Sequence, residues 1–320
     1  MKVLITGIGG FAGSHLTDLL AQDSRYELIG VLRDGEKADN IQKHEKTIRL
    51  YECDIVDFQS IFKVIKDVKP DIIYHLAGQA FVPSSFEHTA DTFKVNVIGS
   101  INLFESVKAA EISPRIVIVT SGEVYGETAG LPELPTEKSV LHPVNPYAAS
   151  KTSIDYIAQT YKTFEELNIV IARSFNHTGP RQRSSFVCSS LARQISEIQK
   201  THAAPIIRIG SITPRRDFTD VRDVARAYAL LATVSNEKSF IYNICSGSIY
   251  SIEEIIRMYE SISSLKFELQ VEQRRLRGYD IQLLAGNNEL LRTSTGWRPE
   301  IQLKRTLKDL LDQWSANSYQ

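Results

Sequence analysis

The segment Gly7-Ile8-Gly9-Gly10-Phe11-Ala12-Gly13 constrains this chain more than any other part of it, and it follows directly on the apolar run Val3-Leu4-Ile5. A strand, a glycine turn and then a helix is the arrangement that seats a dinucleotide phosphate. The helix N-terminus offers free N–H groups and a partial positive charge to the phosphate oxygens. Gly7 is expected to take backbone angles closed to other residues, Gly10 to let the chain pass close to a pyrophosphate, and Gly13 to let the new helix pack tightly on the strand. With Phe11 and Ala12 on the same turn, these residues are the first candidate cofactor contacts. The spacing is Gly-x-x-Gly-x-x-Gly rather than Gly-x-Gly-x-x-Gly. A lone turn of this kind also suits an ordinary strand-to-helix connection, so the rest of the chain has to agree with it.

The bulk properties narrow the classes. With 320 residues, 42% of them hydrophobic, the chain can bury a large core or two smaller ones. Its 37 basic and 38 acidic residues leave a formal net charge of −1, which gives no support for a nucleic-acid or anionic-membrane partner. Cys53, Cys188 and Cys245 are scattered, with no Cys-x-x-Cys and no zinc spacing, so no metal site is predicted and a reducing compartment is. No apolar run approaches the roughly 18 residues of a membrane span, and Gly7 ends the N-terminal apolar stretch after a few residues. A soluble, cytoplasmic protein is expected.

Up to about Ser174 the sequence alternates strand and helix. Strand-like runs fall at Val3–Thr6, Leu28–Leu32, Ile48–Tyr51, Ile72–Leu76, Ile116–Thr120 and Ile169–Ala172, with helical stretches such as Ser14–Ala21, Phe58–Val68 and Thr92–Ala109 between them. Strands apolar on both faces and separated by helices predict an α/β fold, a Rossmann-type doubly wound parallel sheet. Beyond it the rhythm changes, with helices at Phe186–Lys200, Val221–Ala232, Ile252–Ser261 and Leu303–Trp314. The expected organisation is a dinucleotide-binding domain over 1–175 and a smaller C-terminal α/β lobe over 176–320, with a return to the sheet near 211–245.

Tyr147 and Lys151 follow the Asn145-Pro146 turn and stand i and i+4 on one helix face. A nearby ammonium favours phenolate, so Tyr147 is expected to be tuned toward neutral pH as a proton donor or acceptor. Ser121, in Thr120-Ser121-Gly122-Glu123-Val124-Tyr125-Gly126, ends the fifth strand, on the side where ligands bind in open α/β sheets. It is placed to hold a carbonyl or alcohol oxygen beside Tyr147. The same hydroxyl could instead stabilise a strand-terminal turn.

Taken together, Gly7-x-x-Gly10-x-x-Gly13, Leu76-Ala77-Gly78, Ser121 ahead of Val124-Tyr125-Gly126, and Tyr147-x-x-x-Lys151 resemble the extended short-chain dehydrogenase/reductase family over nearly the whole chain. The resemblance implies NAD(H) or NADP(H) in the Rossmann domain and a nucleotide-linked sugar in the C-terminal lobe. It places Asp54, with Ile55 beside it, at the adenine; Leu76, Ala77 and Gly78 on the nicotinamide side; and Lys151 also at the nicotinamide ribose. Asn176 and His177 fall where the family contacts substrate and cofactor. Asp54 could also simply cap the next turn, and Asn176 tie down its own loop. At the end of the second strand Arg33 favours a 2′-phosphate and Asp34 a free 2′-hydroxyl. NADP(H) is the favoured cofactor, with NAD(H) the alternative.

Downstream arginines suit a small polyanion, since guanidinium groups bind phosphate oxygens in pairs. Arg216, in Arg215-Arg216-Asp217-Phe218, resembles the family's diphosphate ligand; Arg183, Arg274 and Arg277 are further candidates. The segment Ser174-Phe175-Asn176-His177-Thr178-Gly179-Pro180-Arg181-Gln182 resembles the GDP-sugar branch, its GDP-mannose 4,6-dehydratases and, more closely, its reductases of GDP-4-keto-6-deoxy-mannose. The reaction this implies is NAD(P)H-dependent reduction of the C4 ketone to GDP-D-rhamnose. Ser121, Tyr147, Lys151 and Glu123 would be the catalytic residues, and Gly122, Asn176 and the arginines would line the GDP-linked keto-sugar. Glu123 occupies the place of a dehydratase base, but Gly122 replaces the acid that dTDP-glucose dehydratases carry and the serine of GDP-mannose dehydratases. Dehydratase, epimerase and cofactor-sensing scaffold remain the alternatives. The family also implies a homodimer whose four-helix interface uses Thr92–Ala109 and the helix beginning near Tyr147.

Overall fold

The computed structural model describes residues 1–235, 239–273 and 281–316. Its strands are β1 Lys2–Thr6, β2 Glu27–Leu32, β3 Arg49–Glu52, β4 Ile72–His75, β5 Arg115–Ser121, β6 Ile169–Ser174, β7 His177–Thr178, β8 Ile206–Ile209, β9 Arg215–Asp217, β10 Thr219–Asp220, β11 Ile241–Ile244, β12 Ile249–Ser251, β13 Glu268–Val271 and β14 Leu283–Leu284. Seven of them form one parallel sheet in the order β11-β6-β5-β4-β1-β2-β3. The doubly wound sheet expected from the sequence is therefore present, and the strands begin and end within one or two residues of the runs read there. The edge strand β11 pairs in parallel with β6.

Alternation along the strands decides which helix covers which face. On β1, Val3 and Ile5 face a cluster with Leu16 and Leu20 of α1 (Phe11–Leu20), together with Val224 and Leu231 far along the chain. Leu4 faces the opposite cluster, built on α2 (Phe58–Val68) and on later helices of the first lobe. The chain winds outward from β1 to β3 in one direction and from β4 to β6 in the other. The C-terminal ends of β1 and β4 therefore flank a crevice at the topological switch point, where ligands of this fold bind.

The helix expected over Thr92–Ala109 is more elaborate. After α3 (Val82–Glu87) and α4 (Thr89–Phe93), a π-turn at Lys94–Ile98 leads into α5 (Gly99–Ala109). The wider turn carries Asn96, whose side chain accepts from Gln79 N at 2.8 Å and donates to Gln79 O at 3.1 Å. A side chain thus pins the loop after β4, a bond that helical periodicity does not reveal.

Helix α6 (Pro146–Phe164) starts where the sequence indicates: Asn145 caps it by accepting from Ala148 N at 2.7 Å, and Pro146 fills the first turn. The helix is locked to the sheet by a buried pair, in which Arg173 of β6 donates to both carboxylate oxygens of Asp155 at 2.8 and 2.7 Å. The smaller lobe gathers α7 (Val187–Thr201), α9 (Ile252–Ser263) and α11 (Leu303–Ala316) around Leu191, Ile195, Tyr259 and Leu307. Helices α8 (Val221–Leu231) and α10 (Glu289–Thr295) complete the chain, α8 lying beside α1 on the sheet. Among the described residues no helix is long and apolar enough to cross a membrane. The three cysteines are free, buried thiols.

Candidate active site

The glycine loop is shaped by what its residues lack. Gly7 has φ of +70°, and a Cβ there would lie 2.9 Å from the backbone of Ala77. A Cβ on Gly13 would lie 2.3 Å from Gly7 O, so the helix can sit this close to the strand only with hydrogen at that position. Gly10 has ordinary extended angles and caps α1 with no side-chain bond of its own. Its missing side chain leaves the helix end open to a ligand. This bare cradle at a helix N-terminus fits a dinucleotide pyrophosphate. Phe11 turns from the loop to stack on the imidazole of His177, with ring centres 5.7 Å apart and planes 8° apart.

The floor of the crevice is the segment after β4. Leu76 N donates to Thr6 O at 3.2 Å and Ala77 N to Thr6 Oγ1 at 3.2 Å, so Leu76 and Ala77 extend the line of the sheet. A Cβ on Gly78 would stand 2.9 Å from Asn96 Oδ1 and 3.5 Å from Lys151 Nζ. The expected nicotinamide floor and the expected catalytic lysine thus meet at one place.

Ser121 ends β5 and stabilises the turn that follows, the second of the two roles read for it. Its Oγ accepts from Glu123 N at 3.1 Å, capping a tight turn, and it also hydrogen-bonds the Tyr147 phenol. Tyr147 departs from expectation. Burial, and next the Glu123 carboxylate, push its pKa up, while the Ser121 bond acts the other way. The expected lowering by Lys151 is not among the influences on the phenol, which is desolvated at the foot of α6, and desolvation disfavours phenolate. The side chain therefore holds its proton more tightly than a free phenol does. Lys151 donates from Nζ to Val119 O at 3.0 Å, and burial pulls its pKa down to about 8. The tyrosine is thus set as an acid, beside a lysine that changes charge near physiological pH.

A consequence is testable. If the ammonium form is the active one, kcat/KM should fall as pH rises through about 8, because Lys151 then loses its proton. Lys151→Arg, which stays charged, should move that alkaline limb upward in whatever activity it retains. An unmoved limb would assign it to another group.

Glu123 is half-buried and accepts from Asn145 Nδ2 at 2.8 Å, so the cap of α6 also steers this carboxylate. Gly122 contributes backbone only: a Cβ there would press to 2.6 Å on the Phe175 ring. Asn176 Oδ1 is buried and meets no donor among the described residues. An orphaned acceptor costs about 1–3 kcal/mol, which suits a group completed by a ligand. His177 is kept neutral by burial, its Nδ1 3.0 Å from Phe175 O.

Other candidates lie further out. Arg33 is exposed at the end of β2, where Glu36 accepts from its backbone N–H. Asp54 is exposed, and its Oδ1 accepts from Val56 N at 2.9 Å, forming the turn before α2, while Ile55 is buried against Gly99. Arg183 is exposed before α7, and Arg216 is half-buried on β9 with its guanidinium donating to Arg215 O at 2.9 Å. Arg274 and Arg277 lie outside the described residues. Sequence reasoning passed over Asn96, Asn145 and Ser85, although Ser85 Oγ accepts from Tyr147 N at 3.1 Å. Only Asn145 carried a readable signal, an N-cap residue immediately before proline.

A doubly wound sheet with a bare glycine cradle and a Ser-Tyr-Lys group at the strand ends defines an extended short-chain dehydrogenase/reductase. Residues 4–310 match the model of the family described as GDP-mannose 4,6 dehydratase, and the chain belongs to that family. GDP-6-deoxy-D-mannose reductase of Pseudomonas aeruginosa is 32% identical over 316 residues, covering 98% of this chain and 97% of that protein. The solved structure described as RMD from Pseudomonas aeruginosa complexed with NADPH matches with a TM-score of 0.84 and 32% identity, covering 98% and 99% of the two chains. A UDP-glucose 4-epimerase of Thermus thermophilus in complex with NAD matches with a TM-score of 0.87 and 25% identity, covering 99% and 100%.

Proposed function

We infer that this enzyme reduces the C4 ketone of GDP-4-keto-6-deoxy-D-mannose, giving GDP-D-rhamnose. The observation that carries the reading is the meeting of Tyr147, Lys151 and Ser121 at the strand ends beside the glycine-loop crevice, with Lys151 Nζ against Val119 O and the Gly78 floor. A ketone reduction must give the oxygen a proton as hydride arrives, and a phenol at the crevice can give it. The nicotinamide dinucleotide, when bound, supplies the hydride. Ser121 holds the ketone oxygen, Tyr147 gives its proton to the forming alkoxide, and Lys151 as ammonium stabilises the tyrosinate. The similarity to the Pseudomonas aeruginosa reductase supports the substrate assignment.

In this reading Gly7, Gly10, Phe11, Ala12 and Gly13 take the cofactor pyrophosphate, Asp54 and Ile55 its adenine end, and Leu76, Ala77 and Gly78 its nicotinamide, with His177 nearby. Asn176 meets the sugar nucleotide, and Arg183 and Arg216 its diphosphate. The exposed Arg33 supports NADPH over NADH, as does the NADPH in the Pseudomonas aeruginosa structure. Ile98 and Tyr156, 44% and 54% exposed on the outer sides of the π-turn and α6, support a homodimer through these helices. The buried free thiols suit the reducing cytoplasm.

Within the family the competing reading is a 4,6-dehydratase with Glu123 as base. Gly122 provides neither an acid nor a hydroxyl beside it, and the Phe175 ring occupies the space a side chain there would need. Incubation with GDP-mannose and no added reductant decides between them. A dehydratase would convert it while recycling its own cofactor; this enzyme is expected to leave it unchanged.

A further inference from the structure

His75 ends β4 with its ring sealed between the two halves of the site, 2% exposed. Its Nδ1 lies 2.8 Å from Thr6 Oγ1 and its Nε2 3.1 Å from Ser100 Oγ. The protons of this group can be assigned by accounting alone. The Ser100 hydroxyl donates to Asn96 O at 2.7 Å, so its oxygen can only accept from the ring. Nε2 therefore carries the hydrogen, Nδ1 is bare, and the Thr6 hydroxyl donates to it. Thr6 Oγ1 in turn accepts from Ala77 N at 3.2 Å.

The chain continues beyond Asn96. Its Nδ2 donates to Ser150 Oγ at 3.0 Å, and Ser150 Oγ donates to Tyr147 O at 2.7 Å. Every donor from Ala77 N–H to the Ser150 hydroxyl points the same way, from the crevice floor to the first turn of α6. A second ring proton would face Thr6 Oγ1, whose own hydrogen would then lose its acceptor. Burial agrees with a neutral ring, pulling the imidazole pKa down to about 3.

We propose that His75 is a positioning residue that fixes the cofactor floor at Ala77 to the π-turn at Asn96 and, through it, to the backbone of Tyr147. The proposal rests on Tyr147 as the proton donor. Any buried imidazole needs a partner at each nitrogen; here the two partners are Thr6, which also holds the Ala77 N–H, and Ser100, which also holds Asn96 O. Small displacements of a reacting group cost rate steeply, so the loss should appear in turnover and cofactor affinity rather than in sugar affinity.

The test uses the full-length enzyme and three variants: His75→Phe, Thr6→Val and Ser100→Ala. Steady-state kinetics with GDP-4-keto-6-deoxy-mannose, NADPH titration by fluorescence and thermal melting are measured for each. His75→Phe should lower kcat by about tenfold or more and weaken NADPH, with KM for the sugar nucleotide within about twofold of the parent. Ser100→Ala should act mainly on kcat, and Thr6→Val mainly on NADPH affinity. A His75→Phe enzyme that melts earlier but keeps parental kcat and NADPH affinity would overturn the proposal. If that variant does not fold, the other two decide in the same way, and parental values in both would overturn it. A parent enzyme that does not turn over this sugar would refute the functional reading instead. The positioning role would then be judged on NADPH affinity alone, which His75→Phe and Thr6→Val should still weaken.

Discussion

Tyr147→Phe should lower kcat by about 10²- to 10⁴-fold, the span expected when a general acid is lost, with NADPH affinity close to that of the parent. The ring is buried at the foot of α6 and phenylalanine fills the same space, so only the hydroxyl and its bond to Ser121 disappear. The position of α6 does not depend on that hydroxyl: Asn145 caps the helix, and Ser85 receives the Tyr147 backbone N–H. Stopped-flow hydride transfer and NADPH titration separate the two quantities. A variant with parental turnover would remove Tyr147 from the chemistry. One that lost cofactor affinity as steeply as turnover would make it a binding residue.

Asp155→Ala should cost about 3–5 kcal/mol of stability, the range for breaking a buried ion pair from one side. The Arg173 side chain is 3% exposed and that of Asp155 is fully buried, so the remaining guanidinium keeps its charge out of water. It would retain the Tyr125 hydroxyl at 2.8 Å and Glu137 O at 3.0 Å, which do not neutralise it. Asp155 lies one turn beyond Lys151 on α6, so the catalytic helix should loosen from β6 as stability falls. The check is the denaturation midpoint in urea, with Arg173→Met/Asp155→Leu as a companion that removes both charges. The double variant should recover much of the loss. A midpoint unchanged in Asp155→Ala would show that the pair does not hold the helix.

Much of this arrangement was legible in the sequence because it rests on local signals. The glycine turn, the strand runs apolar on both faces and the i, i+4 placement of Tyr147 and Lys151 need only their neighbours to be read. The family's residues follow the same pattern, and Ser121, Tyr147, Gly78 and Lys151 do converge. What was not legible depends on distant parts of the chain meeting. The π-turn that aims Asn96 depends on Gln79, and the neutral ring of His75 on Thr6 and Ser100. The upward shift of the Tyr147 phenol follows from burial, which spacing cannot supply, and runs opposite to the one expected. Gly122 looked like a lost catalytic group. In the fold it is also the space taken by Phe175.

The most direct measurement of the proposed reduction is NADPH absorbance on addition of a known amount of GDP-4-keto-6-deoxy-D-mannose, with the product identified by chromatography. One NADPH should be oxidised for each ketone consumed, with GDP-D-rhamnose as the product. Conversion of the sugar with no net loss of NADPH would contradict the reduction.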